Sequence, residues 1–413
     1  NSQVLQAHLC AVRKAKAQVL VDAGVTDPAD LHSNPKMADA LRVLGVEPPT
    51  KISTTTGNTT WAFAKTDPEF KALLEHDDPR VQTLVAARLA HKSTLEETRT
   101  ERFLNVAALG GDFAVPLLWW GAATGRWSGA DRQNTQNLPR GGELRRAMEA
   151  PPGHVVAAGD LSQIECRLLA ALAGQVDLLA AFARGDDVYK LFAADLYRIP
   201  MSMVDKTQRF VGKVAQLGLG YSVGPEKFRL TLASGNPPVV IDEKEAKKIV
   251  WFYRSRYTAI PALWSTFDTA LAIMAGFRGA PLSLSVGPLT FYKGFVALPN
   301  GMAIHYPNMR RVNNNWVYGE NGKETKIYGA KLVENLVQAL ARIVMARAEL
   351  FLAQRGYYAA MTVHDELIFV IPHEQAALFK QVLYKVMTRP VPWMLTLPVE
   401  AEVKSGPTYA DAK

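Results

Sequence analysis

Three groups of residues in this 413-residue chain have types and spacings suited to chemistry on a charged substrate. The first is Asp160-Leu161-Ser162-Gln163-Ile164-Glu165-Cys166-Arg167. The apolar run Val155-Val156-Ala157-Ala158 ends at Gly159-Asp160 and reads as a buried strand that delivers a carboxylate at its end, with a helix following at once. A carboxylate on so rigid a support is a good metal ligand, and Glu165 and Arg167 lie within the next turn or two. The plainer reading has Asp160 cap the helix and Glu165 and Arg167 line a solvated face; spacing alone favours it. The second group is His364-Asp365-Glu366, between two apolar flanks that favour strands. Adjacent carboxylates at a hairpin tip repel unless a cation or a solvent front relieves them. A hard divalent ion such as magnesium would do so. An ordinary surface turn also accommodates Asp and Glu, although these flanks are more apolar than such a turn needs. If the two carboxylate sites met, they could hold two metals roughly 4 Å apart, an arrangement used for in-line attack at phosphorus. The third group is Arg209, Lys213, Leu217 and Tyr221, whose steps of four keep one slowly rotating helix face. Two cations would meet phosphates, and the apolar pair would meet sugar and base. An amphipathic helix with snorkelling cations is the commoner origin of such a pattern.

The elements that must position these groups change character along the chain. Residues 3–23 read as a helix with Leu5, Leu9, Val12, Val19 and Ala23 on one stripe, which Lys16 interrupts. Asn34 before Pro35 marks a second helix to Leu44. Residues 51–60 are a Thr-rich loop, and Asp78-Pro79 opens one longer helix through residues 88–99. This helical, polar first hundred residues reads as a separate lobe. Beyond the strand at 154–161, helical patterns cover 163–173, 177–183, 188–196, 205–220 and 243–275, the last interrupted by Pro261. Residues 281–306 turn strand-like, with Pro299-Asn300-Gly301 as a turn. A helix at 329–353, strands at 358–363 and 367–371, a helix at 373–387 and a strand near 398–403 close the chain. The order is α+β with inserted helical lobes rather than a regular βαβ repeat.

Composition narrows the classes. Hydrophobic residues make up 48% and charged residues 21%, an ordinary globular balance. The length suggests two to four domains or subdomains. Two cysteines, Cys10 and Cys166, rule out a disulfide scaffold and a Cys-rich zinc site. No run of about 18 apolar residues exists, so no helical membrane span is expected. With 47 Lys+Arg against 39 Asp+Glu, the net charge of +8 hints at a polyanionic partner. Gly218-Leu219-Gly220 with Gly224 follows a helix and lacks the third glycine of a dinucleotide loop, and no Gly-Lys-Ser/Thr phosphate loop is present.

Together these residues resemble the polymerase region of family A DNA polymerases, the DNA polymerase I family. Four motifs in the same order carry the resemblance across nearly the whole chain. Thr124-Gly125-Arg126-Trp127-Ser128-Gly129 with Gln136-Asn137-Leu138-Pro139 is similar to the template–primer contact motif. The segment from Asp160 to Arg167 resembles the first catalytic motif, the one from Arg209 to Tyr221 the fingers helix, and His364-Asp365-Glu366 the last catalytic motif. The run Val333-Glu334-Asn335-Leu336-Val337-Gln338-Ala339 and the hairpin around Leu298-Pro299-Asn300-Gly301 look more like phage than cellular members. The resemblance implies a right-hand polymerase fold with an antiparallel-sheet palm. The thumb would be 1–100, beginning partway, the palm 101–175 and 335–413, and the helical fingers 176–334. Asp160, Asp365 and the Leu161 carbonyl would hold two Mg²⁺ ions, for which Mn²⁺ can substitute, with Glu366 in support. Arg209 and Lys213 would bind the incoming dNTP, Lys213 also protonating the leaving group. Glu165 would exclude ribonucleotides and Tyr221 would stack at the insertion site, with Gln163, Tyr189 and Leu217 also in the nucleotide site. Arg126, Asn134, Gln136, Asn137, Gln338 and His364 would contact primer–template DNA. Arg167 would be a local structural partner. A monomer in the cytoplasm, the host's if the gene is a phage's, is expected, without 3′–5′ exonuclease on this chain; an upstream exonuclease or replication factors are not visible here.

Departures qualify the resemblance. Leu217 stands where many relatives have Phe or Tyr, which predicts poor dideoxynucleotide incorporation that Leu217→Tyr improves; equal incorporation by both proteins would refute it. Tyr189 stands in place of a phosphate-contacting His, and Ser222 in place of a Gly. Ala123 and Glu334 also stand where relatives often differ. Two rival readings are a single-subunit RNA polymerase or reverse transcriptase, which a dNTP/rNTP comparison separates, and a primer–template-binding module without catalysis, which metal-dependent extension separates.

Overall fold

The computed structural model describes residues 1–413 apart from Thr26, Thr54, Thr55, Arg132, Arg140, Asn236, Pro237, Asn321 and Lys323. The chain divides into two compact units, residues 1–114 with 139–148, and residues 115–138 with 149–413.

The first unit holds α1 (Ser2–Asp22), α2 (Asn34–Val43), β1 (Thr50–Ile52), β2 (Thr59–Trp61), α3 (Pro68–Ala72), α4 (Pro79–Lys92), α5 (Leu95–Ala108) and α6 (Glu143–Arg146). Its core gathers Met37, Ala38, Leu41, Phe63, Phe70, Val81 and Val85. Lys16, which breaks the apolar stripe of α1, pairs with Glu97 of α5. His8–Glu96 at 3.0 Å and Arg13–Glu101 at 2.5 Å extend the same seam. Three sequence expectations need correction. The stretch 51–60 is a hairpin rather than a plain loop, with Thr50 opposite Trp61; Lys51 is anchored to Asp67 at 2.7 Å. Thr54 and Thr55 of that stretch lie outside the described residues. The long helix from Asp78 is two helices, because Ser93 is extended and Glu96 and Glu97 favour a fresh N-terminus. Finally, Ser33 rather than Asn34 caps α2, accepting from the Lys36 amide at 3.4 Å.

The second unit opens with β3 (Leu117–Leu118) and β4 (Ser128–Gly129), then β5 (His154–Leu161). Helices follow: α7 (Ile164–Ala173), α8 (Val176–Arg184), α9 (Val188–Tyr197), α10 (Lys206–Gly218), α11 (Pro225–Ala233), α12 (Glu243–Arg256) and α13 (Ala259–Met274). The chain breaks at Tyr257-Thr258, not at Pro261, which sits in the first turn of α13 where a missing N–H costs nothing. Strands β6 (Leu284–Val286), β7 (Leu289–Tyr292), β8 (Phe295–Ala297) and β9 (Ala303–His305) form one antiparallel sheet. Strands β10 (Arg310–Val312), β11 (Asn315–Tyr318) and β12 (Thr325–Ile327) form another, which the sequence reading missed. Its signal was Asn313-Asn314, both at positive φ (47° and 62°), in the two-residue turn between β10 and β11.

The long helix α14 (Gly329–Ala353) is followed by β13 (Met361–Val363), β14 (Glu366–Pro372), α15 (Ala376–Met387) and β15 (Ala401–Gly406). The central sheet runs β13-β14-β5-β15, antiparallel throughout. Its middle strand β5 is buried from Val155 to Gly159, as its apolar run requires. Leu383 and Met387 of α15 press on Gly159, where a Cβ would lie 2.5 Å from the Met387 sulfur. The resulting α+β architecture agrees with the sequence reading.

Candidate active site

The register of the central sheet brings the two predicted carboxylate motifs together. Asp160 at the end of β5 lies directly opposite Glu366 at the start of β14. Asp365 occupies the two-residue turn between β13 and β14, after His364 at φ 51°. The Leu161 amide donates to the Asp365 carbonyl at 3.0 Å, which ties this turn to the end of β5. Burial, and next the charge of Asp160, push the Asp365 carboxyl up to about 7. Glu366 is only 1% exposed. Its Oε2 accepts from the Tyr409 hydroxyl at 2.9 Å and from Lys413 Nζ at 2.5 Å. Lys413 Nζ also lies 3.3 Å from Asp160 Oδ2. Glu366 Oε1 is buried without a hydrogen-bond partner among the described residues.

Among the described residues no three His, Cys, Asp or Glu side chains gather closely enough to ligate one ion. The donor chemistry nevertheless fits a hard divalent cation. Asp160 and Asp365 are oxygen donors whose mutual repulsion a cation would relieve, and an orphaned carboxylate oxygen lies alongside.

The neighbouring motif holds the hairpin in place. The Gln136 amide donates to the Thr362 carbonyl at 2.5 Å, and its oxygen accepts from the His364 amide at 3.0 Å. At 6% exposure, Gln136 thus clamps the hairpin that carries Asp365, with both ends of its amide engaged within the chain. Asn134 caps the 3₁₀ turn Thr135–Asn137 by accepting from the Gln136 amide at 3.0 Å, which leaves Asn137 exposed. Arg126 lies 3.6 Å from Glu165. Burial raises the Glu165 pKa against the pull of Arg126. Burial also lowers that of His364, and the Arg126 charge adds to the effect, so its imidazole is neutral at neutral pH. Gln338 is half-buried on α14. Gln163 caps α7 at φ 51°. Arg167 is structural as expected: it donates to the Ser162 and Pro398 carbonyls at 2.7 and 2.9 Å and stacks over Phe182.

The Arg209–Tyr221 motif divides into two parts. Asp205 caps α10 through a capping box with Gln208. Arg209 and Lys213 share a face of α10, and Leu217 is 42% exposed. The helix ends at Gly218, however, and Tyr221 closes a 3₁₀ turn, Leu219–Tyr221, so the step of four does not continue to it. Arg209 Nε is held at 2.7 Å by Asp187, which caps α9 through the Tyr189 and Lys190 amides. The Arg209 guanidinium lies over the buried Tyr189 ring. Gly212 permits this closeness, since a Cβ there would lie 2.1 Å from the Tyr189 carbonyl oxygen. Lys213 forms no hydrogen bond or ion pair among the described residues and is a cation without a protein anion. Tyr221 is half-buried; burial first and Glu165 second hold its phenol well above the usual range. Ser222, which follows it, sits at φ 62°, where a glycine would be unstrained. Sequence reasoning missed Asp187, whose cap position before α9 was its only signal, and Tyr409 and Lys413, which had none.

Residues 4–271 match the family model described as DNA polymerase family A. The DNA polymerase of Bacillus phage SP02 is 29% identical over 335 residues, covering 69% of this chain and 51% of the relative. DNA polymerase I of Treponema pallidum is 26% identical over 325 residues, 77% of this chain and 29% of the relative. The chain therefore spans about half the length of the phage relative and under a third of the bacterial one. Among solved structures, the POL domain of Pol1 from M. smegmatis, in complex with DNA primer-template and dNTP, superposes with a TM-score of 0.71 at 23% identity. That match covers 100% of this chain and 66% of the other. The fold is that of a DNA polymerase I polymerase domain, the right-hand fold the motifs imply. No helix among the described residues is long and apolar enough to cross a membrane. On the family model's match over more than half its length, the chain belongs to DNA polymerase family A.

Proposed function

We propose that this chain performs template-directed DNA synthesis, adding deoxynucleotides to a primer 3′-hydroxyl in phage-type replication. The observation that carries the reading is the Asp160–Asp365 pair: one carboxylate at the end of β5, the other in the adjoining hairpin turn tied to it and pushed up to about 7 by burial and by the first, where a cation would relieve them. The phage and bacterial relatives named as DNA polymerases support it, as does the M. smegmatis domain solved with primer-template and dNTP.

In this reading Asp160, Asp365 and the Leu161 carbonyl would hold two magnesium ions, which when bound neutralise charge at the reacting phosphate and activate the primer hydroxyl. The chain's own residues orient the rest. Lys213, a cation without a protein anion, and Arg209, steadied by Asp187, meet the triphosphate. Lys213 supplies a proton to the leaving pyrophosphate. Glu165, held near Arg126 and Tyr221, crowds the sugar 2′ position. Neutral His364, Arg126, Asn137 and Gln338 face the primer–template, and Gln136 acts one step back by fixing the hairpin. Residues 1–100 would form the thumb, 101–175 and 335–413 the palm, and 176–334 the fingers.

Primer extension with Mg²⁺ and four dNTPs, beside Asp365→Ala, tests this. Template-dependent extension that falls at least about 10³-fold in the variant is expected. Tight DNA binding without extension by either protein would overturn it in favour of a binding module, and equal use of ribonucleotides would remove the role given to Glu165.

A further inference from the structure

Lys413 makes the most consequential contact that the sequence did not foretell. Its ammonium lies 2.5 Å from Glu366 Oε2 and 3.3 Å from Asp160 Oδ2. Its place is built, not incidental. Tyr409 and Ala412 are buried, the Ala412 amide donates to the Thr408 carbonyl at 3.2 Å, and Gly406 packs so tightly on Asp411 that a Cβ would lie 2.4 Å from it. Glu366 is buried beside Asp160 with one oxygen unpartnered, so an anion there needs a cation close by. Among the described residues Asp160 and Glu366 thus share one ammonium, whose charge also reaches Asp365.

We propose that Lys413 is a positioning residue that acts as a resident counter-cation. It pins Glu366 and competes for Asp160, so that metal must displace it from that oxygen. The inference rests on the reading above that Asp160 and Asp365 take divalent metal. Its consequence is that the free protein holds metal weakly, because a fixed positive charge already lies against the ligand.

The test is Mn²⁺ titration of the full chain, without DNA or nucleotide, followed by electron paramagnetic resonance. Lys413→Met is expected to bind Mn²⁺ about tenfold more tightly than wild type, as removal of a unit charge a few ångström away implies. Lys413→Arg, which keeps the charge, should stay within about twofold of wild type. In an Asp160→Asn background the gain from Lys413→Met should vanish. Unchanged or weaker binding by Lys413→Met, with measurable binding by wild type, would overturn the counter-cation alone. No Mn²⁺ binding by wild type or Lys413→Met would overturn both it and the metal reading. A merely structural lysine would lower the melting temperature of the Met and Arg variants alike without raising affinity, which would also overturn it.

Discussion

The first unit and the central sheet of the second treat charge in opposite ways. Along α1 and α5 of the first unit, Arg13 and Lys16 each meet a glutamate, and buried Arg88 bonds the Leu31 and Ser33 carbonyls and the Asn34 side chain. At the end of β5, three carboxylates face one ammonium, and on α10 Lys213 faces no anion among the described residues. Paired charges hold helices in register. Under-compensated charges cost stability and are kept where a ligand can complete them. The difference teaches where to look for function in a protein rich in ion pairs: at the charges whose partners are missing.

The largest effect expected on stability comes from relieving that deficit. The folded pKa of Asp365 is raised from 3.8 to about 7, so the folded protein keeps a proton that the unfolded chain releases. Metal-free stability should therefore fall as pH rises from about 4 to about 7, and level off outside that window. Asp365→Asn should melt higher than wild type at pH 8, by up to about 4 kcal/mol, with the gap closing toward pH 4. A destabilised variant at pH 8 would make the cluster structural, like the α1–α5 seam, and break the contrast. Next comes Arg88→Ala, which strands two carbonyls and an amide in the first unit and should cost roughly 3 kcal/mol in urea unfolding. A loss below about 1 kcal/mol would mean that this unit does not depend on its paired charges. The smallest effect sharpens the contrast on the functional side. Ser222→Gly removes the strain of a left-handed residue beside Tyr221 and should stabilise by about 1 kcal/mol. Thermal melting decides it, and no gain would mean that the turn relaxes without glycine.

Much of this was legible because local chemistry and fold agree. The apolar run before Asp160, the α14 pattern and the flanks of His364-Asp365-Glu366 each announced their element, and β5, α14, β13 and β14 follow. What was not legible depends on pairing at a distance. Nothing in spacing sets Asp160 opposite Glu366 rather than one residue aside, yet a slip of one would turn the carboxylate to the other face. The hydrogen-bond partners of Gln136 lie 226 and 228 residues away, which no local pattern announces. Lys413 is a single lysine among 47 Lys+Arg, and only its packing distinguishes it. The break at Ser93 escaped because both flanking segments favour helix.

Trp264 joins two places that otherwise share nothing in sequence. Its indole N–H donates to the Gly220 carbonyl at 2.9 Å, one residue before Tyr221, while a Cβ on Gly329 at the start of α14 would lie 2.0 Å from its backbone oxygen. The Gly329 amide is itself pinned at 2.6 Å by Asp268, one helical turn along from Trp264. Position 329 is thus a keystone for the backbone beside Tyr221 without touching it. A bulkier residue there would displace Trp264 and, through it, the seat of Tyr221. A variant library scored by nucleotide selectivity would then point to residue 329 as though it touched substrate, and its intolerance would record the mechanics of α13 against α14 rather than recognition.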